Sequence, residues 1–353
     1  MNNRNKMMKI LVLFLCIFLF ENSCASSNLT KEPLADDKPI NLNISQRNYK
    51  IGIGPIPEDF PGTQKTWLDM FEKIPEVGEI VIAQNEWRES IKKSGEVPEI
   101  LHLVGTMKDK YGYMPQFGIN FFQGEGNAVL NTKDNSVNNW TNEDAKQKYK
   151  ELALKICKNY NAEYLALAVE VNTYYQHHPE DFDRFVSVYK EIYDEIKTKY
   201  PHTKVFVTFQ LEKMKGIGDK TFGADINPHW HLIDKFGDKL DLIAFTTYPE
   251  VEYSSPEKIP DNYYLEIRKH SNKKIAFTEI GWQSNNKTEK DQNDFILRFL
   301  QLTKGLNVEC VNWVFMHDLP GFGPLKKVGL RKSNGTPKQS WDTWKKLKGI
   351  PLK

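Results

Sequence analysis

The strongest constraint on this chain is a rhythm in which eight short apolar or β-branched runs alternate with longer amphipathic ones. The short runs read as strands over 49–54, 79–83, 116–121, 164–172, 204–210, 241–247, 274–279 and 309–315. Between them, apolar residues at helical spacing predict helices over 63–74, 98–111, 142–160, 179–200, 228–236, 261–270, 289–305 and 340–347. Two helix starts carry cap signals: Thr141 to Asp144 has the form of a capping box, and Pro228 follows Asn227 as a first-turn proline follows its cap. Alternation of this kind calls for a parallel sheet with helical crossovers, because parallel strands cannot be joined by tight turns. Eight units across 49–353 average about 38 residues, against the ~31 of a minimal (β/α)8 TIM barrel, so an α/β barrel with insertions is expected. An open doubly wound sheet is the alternative. The rhythm gives no sign of a second domain.

The N-terminus follows a different logic. Arg4, Lys6 and Lys9 precede the apolar run Ile10 to Phe20, after which Glu21, Asn22, Ser23, Cys24 and Ala25 turn polar and small. This is the order of an export signal, expected over 1–24, and the run is too short for the ~20 residues a membrane-spanning helix needs. Cys24 resembles the acylated cysteine of a bacterial lipoprotein, with Glu21 departing from the apolar residue usual three positions upstream. Cleavage after Ala25 is the alternative, and either route exports the chain to the envelope or the medium. Residues 25–48, rich in Ser, Asn, Lys, Asp and Pro, read as a tether. A lipidated Cys24 would provide membrane attachment.

Charge excludes a class of partner. The chain has 48 basic and 46 acidic residues, and the signal takes three basic and one acidic with it, leaving the remainder balanced. No basic run is left to bind nucleic acid. Cys157 and Cys310, far apart in apolar stretches, read as core thiols.

In a barrel of this type, chemistry sits at the C-terminal ends of the strands. The fourth run, Tyr164 to Asn172, places Ala166, Ala168, Glu170 and Asn172 on one face by period two, and Leu165, Leu167, Val169 and Val171 on the other. Glu170 and Asn172 are therefore expected at the barrel mouth. Glu279 closes the apolar seventh run and is followed by Gly281 and Trp282. The two glutamates lie about three units apart, which assigns them to strands four and seven of one mouth. A facing carboxylate pair is what glycoside hydrolysis requires, one as nucleophile and one as acid and later base.

The strand-four glutamate, the Thr-Glu-Ile-Gly-Trp at 278–282, the Thr-Tyr-Pro at 247–249 and Trp313 on strand eight resemble clan A retaining glycoside hydrolases. Within the clan the chain looks most like family 53, the arabinogalactan endo-β-1,4-galactanases. The resemblance implies Glu170 as acid/base, Glu279 as nucleophile, Tyr248 as a hydrogen-bond donor to the nucleophile, Trp313 as a sugar platform and an endo-acting enzyme on a galactan-like polysaccharide. The clan's Asn before the acid/base is Val169 here, so Asn172 is the expected stand-in, and an inactive glycan-binding lipoprotein on the same barrel is the alternative function.

Other polar strand ends suit a sugar cleft: Gln84, Asn85 and Glu86 after strand two, Asn120 on strand three, and Gln210 and Glu212 at strand five. Trp282 is a second candidate platform. No cofactor and no metal is implied: His229-Trp-His231 has a metal-like form, but residues two apart on a helix face different ways. A monomer is expected.

Overall fold

The computed structural model describes residues 45–93, 95–124, 126–133, 136–218, 227–284 and 288–353. The expected signal, Cys24 and the tether up to residue 44 lie outside the described residues. Eight strand positions appear in order: β1 (Lys50–Ile53), β2 (Ile80–Glu86), β3 (Met114–Asn120), β4 (Tyr164–Ala166), β5 in two halves (Lys204–Phe206 and Thr208–Gln210), β6 (Ile243–Thr247), β7 (Ile275–Ile280) and β8 (Val308–Trp313). All pair in parallel, each with its neighbours in sequence, and β1 pairs with β8. The sheet's two ends are the halves of β5: the first pairs with β4 and the second with β6, so one strand interrupted at Val207 closes the barrel. The chain has the expected TIM-barrel fold.

The crossover helices are α1 (Gln64–Val77), α2 (Glu99–Tyr111), α3 (Glu143–Tyr160), α4 (Pro179–Lys199), α5 (Leu232–Phe236) and α6 (Glu289–Leu302), with α7 (Gln339–Gly349) closing the chain. Their apolar stripes pack on the barrel; α1 buries Trp67, Met70, Phe71, Ile74 and Val77. Thr63 and Thr288 form capping boxes at α1 and α6. The expected box at Thr141 is absent: Asn142 caps α3 by accepting from Ala145 N at 3.2 Å, while Thr141 bonds Asn139. Pro228 precedes the short α5 without starting it, and the helix expected over 261–270 is a 3₁₀ turn, Leu265–Lys269.

The largest departure is β4, which ends at Ala166 rather than Asn172. Residues 167–170 bend, and Glu170 takes a left-handed conformation (φ 56°) before a short helix, Val171–His177. Apolar alternation continues through this bend, which is why period two could not locate it. At the opposite end of the barrel, Arg47 is buried and belongs to the body rather than to a tether. Its guanidinium pairs with Glu79 at 2.8 Å, its backbone N donates to Pro351 O, and Lys353 N donates to its carbonyl. Cys157 and Cys310 are buried and unbridged, and burial pushes both thiols up to about 12.

Candidate active site

Strand β6 organises the mouth. Thr246 Oγ1 donates to Glu170 Oε1 at 2.6 Å, and Tyr248, two residues on and therefore on the same face, donates its hydroxyl to Glu279 Oε2 at 2.8 Å. One strand end thus holds both carboxyls. Glu279 reaches its position through a β-bulge: Phe277 pairs with Phe245 but Glu279 pairs with Thr246, so Thr278 is the extra residue, and such a bulge re-aims the side chain that follows it. Thr278 Oγ1 ties the bulge down by donating to Phe245 O at 3.1 Å. Glu170 is held by a different device. Its left-handed backbone is costly for a non-glycine residue and is fixed by Thr208 Oγ1, which accepts from Glu170 N at 2.8 Å.

Both carboxyls are buried, with 6% of Glu170 and 7% of Glu279 exposed. Burial, and then the charge of Glu170, push the Glu279 carboxyl up to about 7, against hydrogen bonds from Tyr248 and Gln84 that favour its charged form. Burial also raises Glu170; the Thr246 hydrogen bond and the Lys213 charge oppose this, and the Glu212 charge adds to it. Burial and the neighbouring charge thus both disfavour the ionised form of Glu279. Tyr248, raised by burial and the neighbouring carboxylates, stays a neutral donor.

The pocket beside Glu279 places several expected residues together: Glu86, Asn120 and Tyr248 line it with Glu279, Gln84, Asn85 and Val169. Glu86 is paired with Arg88 Nε at 3.1 Å and also accepts from Gln123; Asn120 Nδ2 donates to Phe122 O at 3.1 Å. Gly118 leaves room for both Gln84 and Val169: a Cβ there would meet Gln84 Cγ at 2.9 Å and Val169 Cγ2 at 3.2 Å.

Four expected binding residues are elsewhere. Asn172 is fully buried and spends both ends of its amide on Gln210, donating to its carbonyl and accepting from its N, each at 2.9 Å. It ties the short helix after β4 to the end of β5 and does not line the pocket, where the stand-in for the clan's asparagine was expected. Gln210 caps the helix Leu211–Lys215 and donates to Glu212. Trp313 is fully buried, donating Nε1 to Val328 O at 2.8 Å and packing on Trp344. Trp282, also buried, stacks on Phe295 of α6. The aromatic surface of the pocket comes instead from Phe122, Phe315 and Phe322. His229 and His231 flank the Tyr175 ring, and among the described residues no group of three or more His, Cys, Asp or Glu is placed to hold a metal.

Two residues gain importance that sequence reasoning did not give them. Gln84 bonds the nucleophile candidate directly. Glu212, fully buried, accepts from Thr247 Oγ1 and Tyr263 Oη at 2.7 Å each, from Tyr248 N at 3.1 Å and from Gln210 Nε2. It therefore positions the Tyr248 backbone. Its place two residues past a strand end was the only available signal.

The barrel mouth thus brings together two buried, hydrogen-bonded carboxyls, Glu279 on β7 and Glu170 on the bend after β4, a set whose chemistry suits proton transfer. No family model matches the chain, and no curated protein matches it. Among solved structures it is similar to a family 39 glycoside hydrolase from Bacteroides cellulosilyticus WH2, with a TM-score of 0.63 and 17% identity over 85% of this chain and 63% of that one. It is similar to an exo-β-1,4-mannosidase from Opitutaceae bacterium strain TAV5, with a TM-score of 0.66 and 12% identity over 87% of this chain and 60% of that one. A GH5_18 protein of Streptomyces cattleya in complex with GlcNAc gives a TM-score of 0.64 and 12% identity over 86% of this chain and 80% of that one. The chain spans less than two thirds of the length of the first two. It shares with all three the barrel fold of glycoside hydrolases.

Proposed function

We propose that the protein is an exported, retaining glycoside hydrolase acting on β-linked glycan. The observation that carries this reading is the hold of one strand, β6, on both carboxyls: Thr246 on Glu170 and Tyr248 on Glu279. In the first step a Glu279 oxygen bonds to the anomeric carbon as the glycosidic C–O bond breaks, and Glu170 passes its proton to the leaving oxygen. In the second, Glu170 takes a proton from water, whose oxygen bonds to the anomeric carbon and releases Glu279. Tyr248 and Gln84 favour the charged nucleophile, while the buried setting of Glu170 favours the protonated acid. The motif resemblance makes β-1,4-galactan the first substrate to test, and the likeness of fold to an exo-β-1,4-mannosidase makes β-1,4-mannan the second. Export rests on the N-terminal signal, and the mass of the mature N-terminus separates acylation at Cys24 from cleavage after Ala25.

Glu279→Gln and Glu170→Gln should each lower kcat by ~10³-fold or more on whichever polymer the native chain cleaves, with the product's anomeric configuration retained in early NMR spectra. Unchanged rates in either variant would sink the assignment. Val169 at the pocket favours a second reading, a protein that binds glycan without turnover; binding without release of reducing ends across both polymers would support that reading instead.

A further inference from the structure

Charge is balanced over the whole chain but not over its surface. At the base of the barrel, the end opposite the mouth, the stretch before β7 holds Arg268, Lys269, His270, Lys273 and Lys274 with no acid among them. Ile275 N donates to Asn307 O at 2.9 Å, which sets this stretch beside the loop of Lys304 that leads into β8. β8 in turn pairs with β1, and Lys348 in the last turn of α7 reaches Glu79 at 3.1 Å, the carboxylate that also holds Arg47. The cations therefore form one arc around the starts of β7, β8 and β1.

The arc keeps its charge. Its two acids are engaged, Glu79 by Arg47 and Lys348, and the buried Glu309 by Lys204, Lys274 and Lys50. Lys269 and Lys304 are exposed and pair with no acid among the described residues. Lys273 Nζ donates to the carbonyls of Asp238 and Leu240, at 2.8 and 2.6 Å, which leaves its charge uncancelled. Cations favour helix carboxyl ends, and that accounts for Lys348, but Lys273 and Lys274 stand outside any helix. The arc stops at β6, whose preceding loop brings in Asp238 and Asp241.

We propose that this arc is a membrane-facing surface, on which the base of the barrel rests against a bilayer containing anionic lipid. Cations close to such a bilayer each add to binding, within a Debye length of its surface. Two observations choose this occupant over other anions. The expected tether from Cys24 enters the body here, where Arg47 bonds Pro351 and Lys353. Beside it Leu352, bridged to Arg47 and 44% exposed, sets an apolar side chain among the cations, which the boundary between headgroups and acyl chains accepts and a dissolved polyanion does not. The contact needs no chemistry at the mouth and is independent of the glycosidase reading.

The test uses the chain carrying Cys24→Ser, so that no acyl group contributes, sedimented with vesicles of phosphatidylcholine alone or mixed with phosphatidylglycerol. The expected result is binding to the mixed vesicles only, weakening as salt is raised. Lys269→Glu combined with Lys304→Glu should lower that affinity ~10-fold or more with Tm little changed. Lys65→Glu combined with Lys290→Glu makes the same change of charge in the first turns of α1 and α6, at the mouth, and should leave the affinity within ~2-fold. Equal weakening by the two pairs would overturn the arc as the docking surface. Absence of binding to mixed vesicles would overturn the membrane assignment, and tighter binding to soluble polyglutamate than to those vesicles would give the arc to an acidic polymer instead.

Discussion

The position of Glu279 carries a cost in stability. With its carboxyl pushed up to about 7, the folded chain holds a proton that the unfolded chain releases near 4.5. Stability therefore falls as pH rises from about 4.5 to about 7, and the loss, of order 3 kcal/mol, is complete above that window. Glu279→Gln should raise the Tm at about pH 8 and change it little at about pH 4; an equal shift at both pH values would mean that the proton on Glu279 is not its source. Tyr248→Phe removes a bond that favours the charged form of Glu279, the proposed nucleophile. The acid limb of kcat/KM should then move to higher pH, with kcat reduced ~10-fold or more. An unmoved limb would mean that Tyr248 only packs.

Secondary structure decided how far the sequence could place the candidate residues. The position of Glu279 was legible because β7 runs through it, and that of Glu170 because it follows an apolar run, although it stands on a left-handed bend rather than a strand. Asn172 was misplaced by that same bend: once β4 stops at Ala166, face alternation no longer applies, and it meets Gln210, at the expected end of β5, instead of the pocket. Trp313 and Trp282 were judged by position along their strands, but their rings turn outward to α6 and α7. No local pattern signals that direction at a strand end. Gly281 shows how tightly the elements meet here. A Cβ would come within 2.7 Å of Val328 Cγ2 and 2.8 Å of Tyr248 Cε1. Gly281→Ala should cost ~1–3 kcal/mol in chemical unfolding and lower kcat more than it raises KM, because Tyr248 is displaced from Glu279. A change confined to KM would point to the packing around Val328 rather than to Tyr248.

Across the whole molecule, the eightfold rhythm was enough to give the barrel, while its closure through the two halves of β5 depended on pairing that only three dimensions reveal. The end opposite the site is a charged base. Glu309 at the start of β8 is pulled down to about 2: burial opposes this, but hydrogen bonds from Lys204, Tyr164 and Lys274 prevail. This contribution is present above about 4.5 and is lost as pH falls toward 2, the opposite sign and the adjoining window to that of Glu279. Glu309→Gln should flatten the acid limb of the stability profile, read by urea unfolding at stepped pH; an unchanged limb would place acid sensitivity elsewhere. On the same base, Arg47 meets Pro351 and Lys353, so the body's first and last residues leave the barrel side by side, on the face away from Glu170 and Glu279. A lipid, a fusion partner or a purification tag attached at either end is therefore borne on the far face. A layer of such molecules fixed to a bead or a bilayer by that end would turn the mouths of its barrels outward, toward the surrounding fluid.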